Sequence, residues 1–156
     1  MRKGSLNNQE TGDARELAFT VVAARWNAEI TEKLLDGALS VLHAAGARKG
    51  AVRILRVPGS FELISACRLA VRRKVSAVVA LGCLLRGETP HFEILAHSVA
   101  AAIANLNAAQ NVPITFGVLT CENRRQALER CGGKSGHAGR EAAQAAIAMA
   151  RLRKDS

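Results

Sequence analysis

Four short apolar segments alternate with segments of helical periodicity, and this alternation limits the fold more than any other feature. The apolar segments have the length and the aliphatic content of strands buried on both faces. The segments between them place apolar residues three or four positions apart, as on one face of a helix. This order predicts a parallel sheet with right-handed crossovers and helices on both faces. We therefore predict an α/β fold, a three-layer α/β/α sandwich with a four-stranded parallel sheet of the flavodoxin-like class, whose strands are residues 17–24, 51–57, 77–85 and 113–119.

End signals predict where the helices begin and end. Gly46 is expected to close the first helix, which begins at Ala28. Ser60 is expected to cap a second helix that begins at Phe61. The remaining predicted elements are a helix over 91–110, a short helix that starts after Thr120 or Asn123 and ends at Arg130, a flexible glycine-rich link over 132–136, and a last helix over 138–152.

The 156 residues predict one domain, 17–156, preceded by a flexible N-terminal tail, 1–16, that is polar and aperiodic. The tail lacks the apolar segment of a signal peptide, and no apolar run is long enough to cross a bilayer, so we predict a cytoplasmic protein with no membrane partner. The cysteines are interpreted as reduced and buried, and their spacing predicts no metal site; they are Cys67, Cys83, Cys121 and Cys131.

The formal net charge of +9 brings nucleic acid into consideration as a partner. However, the basic residues occur in pairs and at predicted helix ends, and the chain has no tyrosine for base stacking. Nucleic acid is therefore not an expected partner, whereas positive charge favours phosphorylated substrates. A P-loop is excluded because Leu128 occupies the position of its first glycine, and no dinucleotide-binding glycine motif follows the first strand.

Polar and aromatic residues follow the predicted strands at the points where each strand ends. The carboxyl ends of parallel strands share one edge of the sheet, so we expect these residues to meet there. Gly87 and Thr89 form a turn before a helix that begins near Pro90, which predicts an anion site with His91 beside it. The groups that would share this edge are Trp26 and Asn27, then 58–62, then 86–91, and finally Phe116. They favour a flat heterocycle and an anion as ligands.

Each of these residues also has a structural explanation. Trp26 and Phe116 are often core residues, and Glu62 fits the solvated first turn of a helix. Arg130 fits a helix end, and His91 fits the surface. His43 and His137 have no partner in the sequence and are assigned to the surface.

Five motifs resemble the lumazine synthase family, and the match runs from Leu17 to Leu152 without a large gap. They are Ala-Arg-Trp-Asn at 24–27, Val-Pro-Gly-Ser-Phe-Glu at 57–62, Leu-Gly-Cys-Leu-Leu-Arg-Gly-Glu-Thr-Pro-His-Phe at 81–92, Phe-Gly-Val-Leu-Thr at 116–120 and Gln-Ala-Leu-Glu-Arg at 126–130. The resemblance implies a transferase of riboflavin biosynthesis that needs no cofactor. It would condense 5-amino-6-(ribitylamino)uracil with 3,4-dihydroxy-2-butanone 4-phosphate, release phosphate and form 6,7-dimethyl-8-ribityllumazine.

The resemblance also assigns residue roles and an assembly. His91 would move protons, Trp26 would stack on the pyrimidine ring with Asn27 beside it, and no metal would be bound. The family forms homopentamers, some of which assemble into decamers or icosahedral 60-mers. The other implied contacts are Ser60, Phe61 and Glu62 to the ribityl chain; Cys83, Leu84 and Leu85 to the ring through their backbone; Gly87, Glu88, Thr89 and Arg130 to the phosphate; and Phe116 and Arg130 from a neighbouring subunit.

The chain departs from the family pattern at two places. Trp26 stands where phenylalanine is common, which preserves stacking. His137 and Ala138 stand where many relatives have asparagine and lysine, so a cation near the phosphate is absent at that position. This motivates a second hypothesis, a catalytically weak riboflavin or lumazine binding protein of the same fold. A third hypothesis, nucleic-acid binding through the net charge, predicts steeply salt-dependent association.

Overall fold

The computed structural model describes residues 12–156, and its centre is a four-stranded parallel sheet. The strands lie side by side in the order β2-β1-β3-β4, so β2 and β4 form the two edges. The predicted sheet is therefore confirmed, with small shifts at the strand ends. The strands are β1 (Phe19–Ala24), β2 (Val52–Val57), β3 (Ala77–Leu85) and β4 (Ile114–Cys121).

Helices cover both faces of the sheet and complete the three layers. Alternate residues of β1 explain why: Val21 packs in one apolar cluster with α1 and α5, and Val22 packs in the other with α2 and α3. A strand buried on both sides is expected to be mainly apolar, and every residue of β1 except Thr20 is. The helices are α1 (Ala28–Ala44), α2 (Leu63–Ala70), α3 (His91–Ala108), α4 (Arg124–Glu129) and α5 (Ala138–Asp155).

The glycine-rich segment after α4 differs from its prediction. It forms a short antiparallel hairpin of β5 (Cys131–Gly133) and β6 (Gly136–His137), so the prediction of a flexible link was wrong. Gly132 and Gly136 have φ values of 113° and 94°, which side chains rarely adopt. The glycines therefore specify a tight hairpin here.

Two predicted helix caps have different outcomes. The Asn123 side chain accepts a hydrogen bond from the Gln126 N–H at 3.0 Å, which confirms it as the cap of α4. Ser60 does not cap α2: the helix begins at Leu63, and the Ser60 hydroxyl is buried with no hydrogen-bond partner among the described residues. The prediction for Ser60 was wrong because that hydroxyl points into the protein.

The predicted N-terminal tail lies mostly outside the described residues, which begin at Gly12. The part that is described contacts the end of α1, since Ala14 is fully buried and its N–H donates to the Ala45 carbonyl at 2.8 Å. Glu16 pairs with Lys154 of α5 at 2.6 Å. Residues 12–16 therefore pack on the domain.

Much of α3 is left uncovered by a single chain. Only Val99 and Ile103 of this helix are buried, and 61% of Ile94 is exposed. Ile94, predicted to be buried, thus faces away from the sheet. Among residues 12–156, no helix is both long enough and apolar enough to cross a membrane.

Candidate active site

The exposed indole of Trp26 lies against the backbone at the end of β2. A Cβ atom built on Gly59 would lie only 2.6 Å from Trp26 Cε3, so the ring occupies the space that a side chain would need. The backbone N–H of Trp26 also donates to the Pro58 carbonyl at 2.9 Å. The ring is held at the sheet edge while 66% of the residue remains exposed. Such a ring offers a free face for stacking.

Two polar side chains make hydrogen bonds to the backbone beside this ring. The Glu62 carboxylate accepts a hydrogen bond from the Gly59 N–H at 2.8 Å. The Asn27 side-chain amide donates to the Cys83 carbonyl at 3.0 Å, which joins the exit of β1 to β3. Asn27 has φ 60° and ψ 46°, a left-handed conformation that asparagine tolerates better than most residues. The first contact holds the segment on which the indole packs, and the second holds the residue that follows Trp26.

Ser60 brings a buried hydroxyl to the same edge. The residue is 4% exposed, and a Cβ atom on Gly82 would lie 2.6 Å from its Oγ. Gly82 is therefore needed to give this hydroxyl room. Next to it, 53% of Phe61 is exposed. An open aromatic side chain and an unpaired hydroxyl lie side by side.

The end of β3 lies between the exit of β1, which carries Trp26, and the start of α3. Cys83 is buried, whereas Leu84 and Leu85 are partly exposed. Burial raises the pKa of the Cys83 thiol to about 12, so the sulfur is protonated at neutral pH and is not a nucleophile. These three residues can offer a ligand backbone groups and an apolar surface.

The predicted anion turn leads from β3 to α3 and is open to solvent. Gly87, Glu88 and Thr89 are exposed, and a Cβ atom on Gly87 would contact nothing within 4 Å. His91 is the first residue of α3, as predicted, and its side chain is exposed. The first N–H groups of this 18-residue helix are available to an anion.

Phe116 does not lie at this edge, although the sequence interpretation placed it near the end of its strand. It pairs with Ala80 and precedes Cys121, the last residue of β4, by five positions. At about 3.3 Å per residue this is roughly 16 Å along the strand. The expectation was wrong for a single chain, because β4 continues through Thr120 and Cys121. Phe116 is 44% exposed on an edge strand.

Arg130 is also separate from His91 within one chain. It follows α4 and donates from Nη1 to the Ser135 carbonyl at 2.5 Å and from Nη2 to Glu141 Oε2 at 3.1 Å. These contacts lie in the layer of α1 and α5, whereas His91 begins α3 in the other layer. Within one chain, Arg130 and His91 therefore lie in different layers.

The comparisons with known proteins identify the family. The sequence model described as 6,7-dimethyl-8-ribityllumazine synthase matches residues 16–154. The chain belongs to this family.

Relatives of the same name align over most of this chain. The lumazine synthase of Parabacteroides distasonis is 44% identical over 138 residues, which cover 88% of this chain and 86% of the relative. That of Aquifex aeolicus is 43% identical over 140 residues, covering 89% and 91%. That of Cytophaga hutchinsonii is 46% identical over 132 residues, covering 84% and 83%.

His137, one of the departures from the lumazine synthase pattern, is not the surface residue that we expected. Its ring packs on α1, where a Cβ atom on Gly37 would lie 2.1 Å from His137 Cε1. Its Nδ1 accepts a hydrogen bond from the Arg140 N–H at 3.4 Å and so caps α5. Burial, and then the charge of Arg140, lower the pKa of His137. The sequence could have predicted this cap, because His137 can accept a hydrogen bond and stands just before the predicted start of the last helix.

The sequence interpretation missed Glu141, the carboxylate that holds Arg130. Its carboxylate binds the Arg130 guanidinium through Oε2, and its Oε1 accepts a hydrogen bond from the backbone N–H of His137 at 3.3 Å. It lies in the first turn of α5, where a carboxylate is favourable. Arg130 is thereby oriented before any ligand binds.

Proposed function

We propose that this chain is a 6,7-dimethyl-8-ribityllumazine synthase. It would condense 5-amino-6-(ribitylamino)uracil with 3,4-dihydroxy-2-butanone 4-phosphate and release phosphate. The observation that supports this most strongly is the arrangement at one sheet edge. There an exposed indole packed on Gly59 and an open turn before His91 flank the end of β3.

The uracil substrate fits the side of the edge that carries Trp26. The free indole face would stack on the pyrimidine ring, an interaction worth about 1–3 kcal/mol for a base on an aromatic side chain. Ser60, Phe61 and Glu62 would hold the ribityl chain. Binding a ribityl hydroxyl would give the buried Ser60 Oγ the partner that it lacks. Asn27 would act by holding Cys83, whose backbone, with those of Leu84 and Leu85, borders the ring.

The butanone phosphate fits the turn between β3 and α3. Gly87 leaves space for a phosphate close to the backbone, and Thr89 adds a hydroxyl donor. Glu88 would contribute its backbone N–H, because a phosphate repels its carboxylate. The N-terminus of α3 favours negative charge at this position. Arg130 of a neighbouring subunit would supply the cation.

His91 would move the protons of the reaction. The substrate amine attacks the ketone, and loss of water gives an imine; phosphate then leaves, and ring closure releases a second water. Each step transfers a proton, and an imidazole both donates and accepts protons near neutral pH. Most of the acceleration would come from holding two reactants in register, which can offset on the order of 7–11 kcal/mol of barrier.

Assembly would complete the site. Membership of the family implies an oligomer, and we propose a homopentamer in which Phe116 and Arg130 of one subunit meet Trp26 and His91 of the next. The exposure of Phe116, and of Ile94 on α3, supports a partner surface on these elements. Pentamers of this kind could assemble further into decamers or 60-mers.

A condensation assay tests the proposed function. Purified protein should form the lumazine well above the spontaneous rate. His91→Ala should lower kcat but leave residual activity, because binding still holds both substrates together. Arg130→Ala should mainly raise the KM for butanone phosphate. Riboflavin binding without any acceleration would instead support a binding protein.

A further inference from the structure

We propose that Arg86 is a positioning residue for this reaction: its side chain fixes the first turn of α3, and with it His91 and the anion turn, to the exit of β4. The inference rests on the proposed function. It assigns a role to a residue that would not itself contact either substrate.

The Arg86 side chain contacts three residues in two separate segments. Arg86 Nε donates to Glu122 Oε2 at 2.6 Å, just beyond β4. Its Nη1 donates to Glu93 Oε1 in the first turn of α3. Its guanidinium carbon lies 4.6 Å from the centre of the Phe92 ring, within the range of a cation–π contact. The Arg86 backbone N–H adds a bond to the Cys121 carbonyl at 2.9 Å.

The anion turn has little else to hold it. Across the described residues, the backbone groups of Gly87, Glu88 and Thr89 make no hydrogen bond outside regular secondary structure. The first such bond of α3 runs from the Ile94 N–H to the Pro90 carbonyl at 3.2 Å. Arg86 therefore supplies the side-chain connection between the start of α3 and the neighbouring strand. Without it, His91 would sit on a helix end that is free to move relative to the sheet.

The charges argue against Arg86 as a direct phosphate ligand. Its guanidinium faces two carboxylates, Glu93 and Glu122, so the group of three carries one net negative charge. The ion pairs also explain why an arginine is needed. A lysine would keep the charge, but it could not bridge two carboxylates with a planar group while stacking on Phe92.

Steady-state kinetics of three variants separate position from charge. Arg86→Lys keeps the charge, Arg86→Met removes it, and Arg86→Met with Glu93→Gln and Glu122→Gln removes all three charges. If Arg86 positions His91, kcat should fall about tenfold or more in Arg86→Met, because small misplacements can cost up to about a hundredfold. Arg86→Lys should recover only part of this loss, and the triple variant should stay low.

Arg56→Gln is the matched control. Arg56 also forms a forked ion pair, with Glu32, but it lies on β2 and does not contact α3. Its loss should leave kcat unchanged. The unfolding midpoint of Arg86→Met should change little, because exposed ion pairs add little to global stability. Amide exchange at residues 94–97, which begin with the first hydrogen-bonded amide of α3, should nevertheless become several-fold faster in that variant.

The outcomes distinguish this inference from the proposed function. Recovery of kcat in the triple variant would overturn positioning, since the loss would then come from unpaired carboxylates. A raised KM for butanone phosphate with unchanged kcat would overturn the positioning of His91, since the effect would then be confined to phosphate binding. If the wild type is active and Arg86→Met has the same kcat, the role of Arg86 would be overturned, but the proposed function would stand. Absence of condensation by the wild type would overturn the proposed function itself.

Discussion

Replacing Gly59 with alanine should weaken binding of the uracil substrate by moving one ring. The new Cβ atom would lie 2.6 Å from Cε3 and 2.8 Å from Cζ3 of Trp26, and 3.1 Å from the Glu62 carboxylate. Carbon atoms in contact prefer about 3.5–4.0 Å, so the indole has to move by about 1 Å. The exposed ring can do this without disturbing the core. We therefore expect the free energy of unfolding to change by less than about 1 kcal/mol.

The effect on binding should be larger than the effect on stability. Losing about half of a stacking interaction of 1–3 kcal/mol corresponds to roughly a two- to thirteenfold increase in KM for the uracil substrate. The KM for butanone phosphate should stay the same, because Gly87 and Thr89 are not displaced. Trp26 is the only tryptophan in the chain, so its fluorescence should report the movement directly.

Gly50→Ala is the control for this experiment. A Cβ atom at Gly50 would contact nothing within 4 Å, so this variant should match the wild type in both KM values and in fluorescence. If Gly59→Ala changes the fluorescence of Trp26 but leaves the KM for the uracil substrate unchanged, the indole is not the stacking surface.

Two further substitutions test the contacts around α5. Because burial lowers the pKa of His137 below its ordinary 6.5, the unfolded chain binds the proton more readily, and stability should fall as pH decreases through 6.5. His137→Asn keeps a capping side chain, so its free energy of unfolding in urea should fall less between pH 7.5 and pH 5 than that of the wild type. An equal fall in both proteins would refute the role of His137 in this pH dependence. A Cβ atom on Gly139 would lie 2.1 Å from the Leu34 carbonyl oxygen, so Gly139→Ala should destabilise the protein by about 1–3 kcal/mol, and an unaltered urea midpoint would contradict this.

Local signals made the junction of β3 and α3 predictable from the sequence. A continuous apolar run ends at Leu85, and Pro90 favours the start of a helix, so the predicted strand and the helix start at His91 agree with the structure. The left-handed Asn27 and the cap at Asn123 also lie where polar residues interrupt apolar runs. These features depend mainly on neighbours in the sequence.

Features that depend on distant contacts could not be predicted in the same way. β4 continues beyond its predicted end at residue 119 because Thr120 and Cys121 pair with Leu84 and Leu85. Phe116 therefore lies farther from the end of the strand than we expected. The hairpin after α4 was missed for a local reason, because its composition is that of a flexible link while its conformation follows from the left-handed glycines. The burial of His137 requires Gly37, a hundred positions earlier in the chain.

Subunit mixing is the most direct test of the central claim, that one active site is built from His91 of one chain and Arg130 of another. His91→Ala and Arg130→Ala proteins would be unfolded together in equal amounts, refolded and assayed for condensation beside each parent. At a butanone phosphate concentration at which both parents are nearly inactive, random assembly would pair an intact His91 with an intact Arg130 at about a quarter of the interfaces, so the mixture should recover about a quarter of the wild-type activity. Activity equal to the mean of the two parents would show that both residues act within one chain, or that one of them is not part of the site.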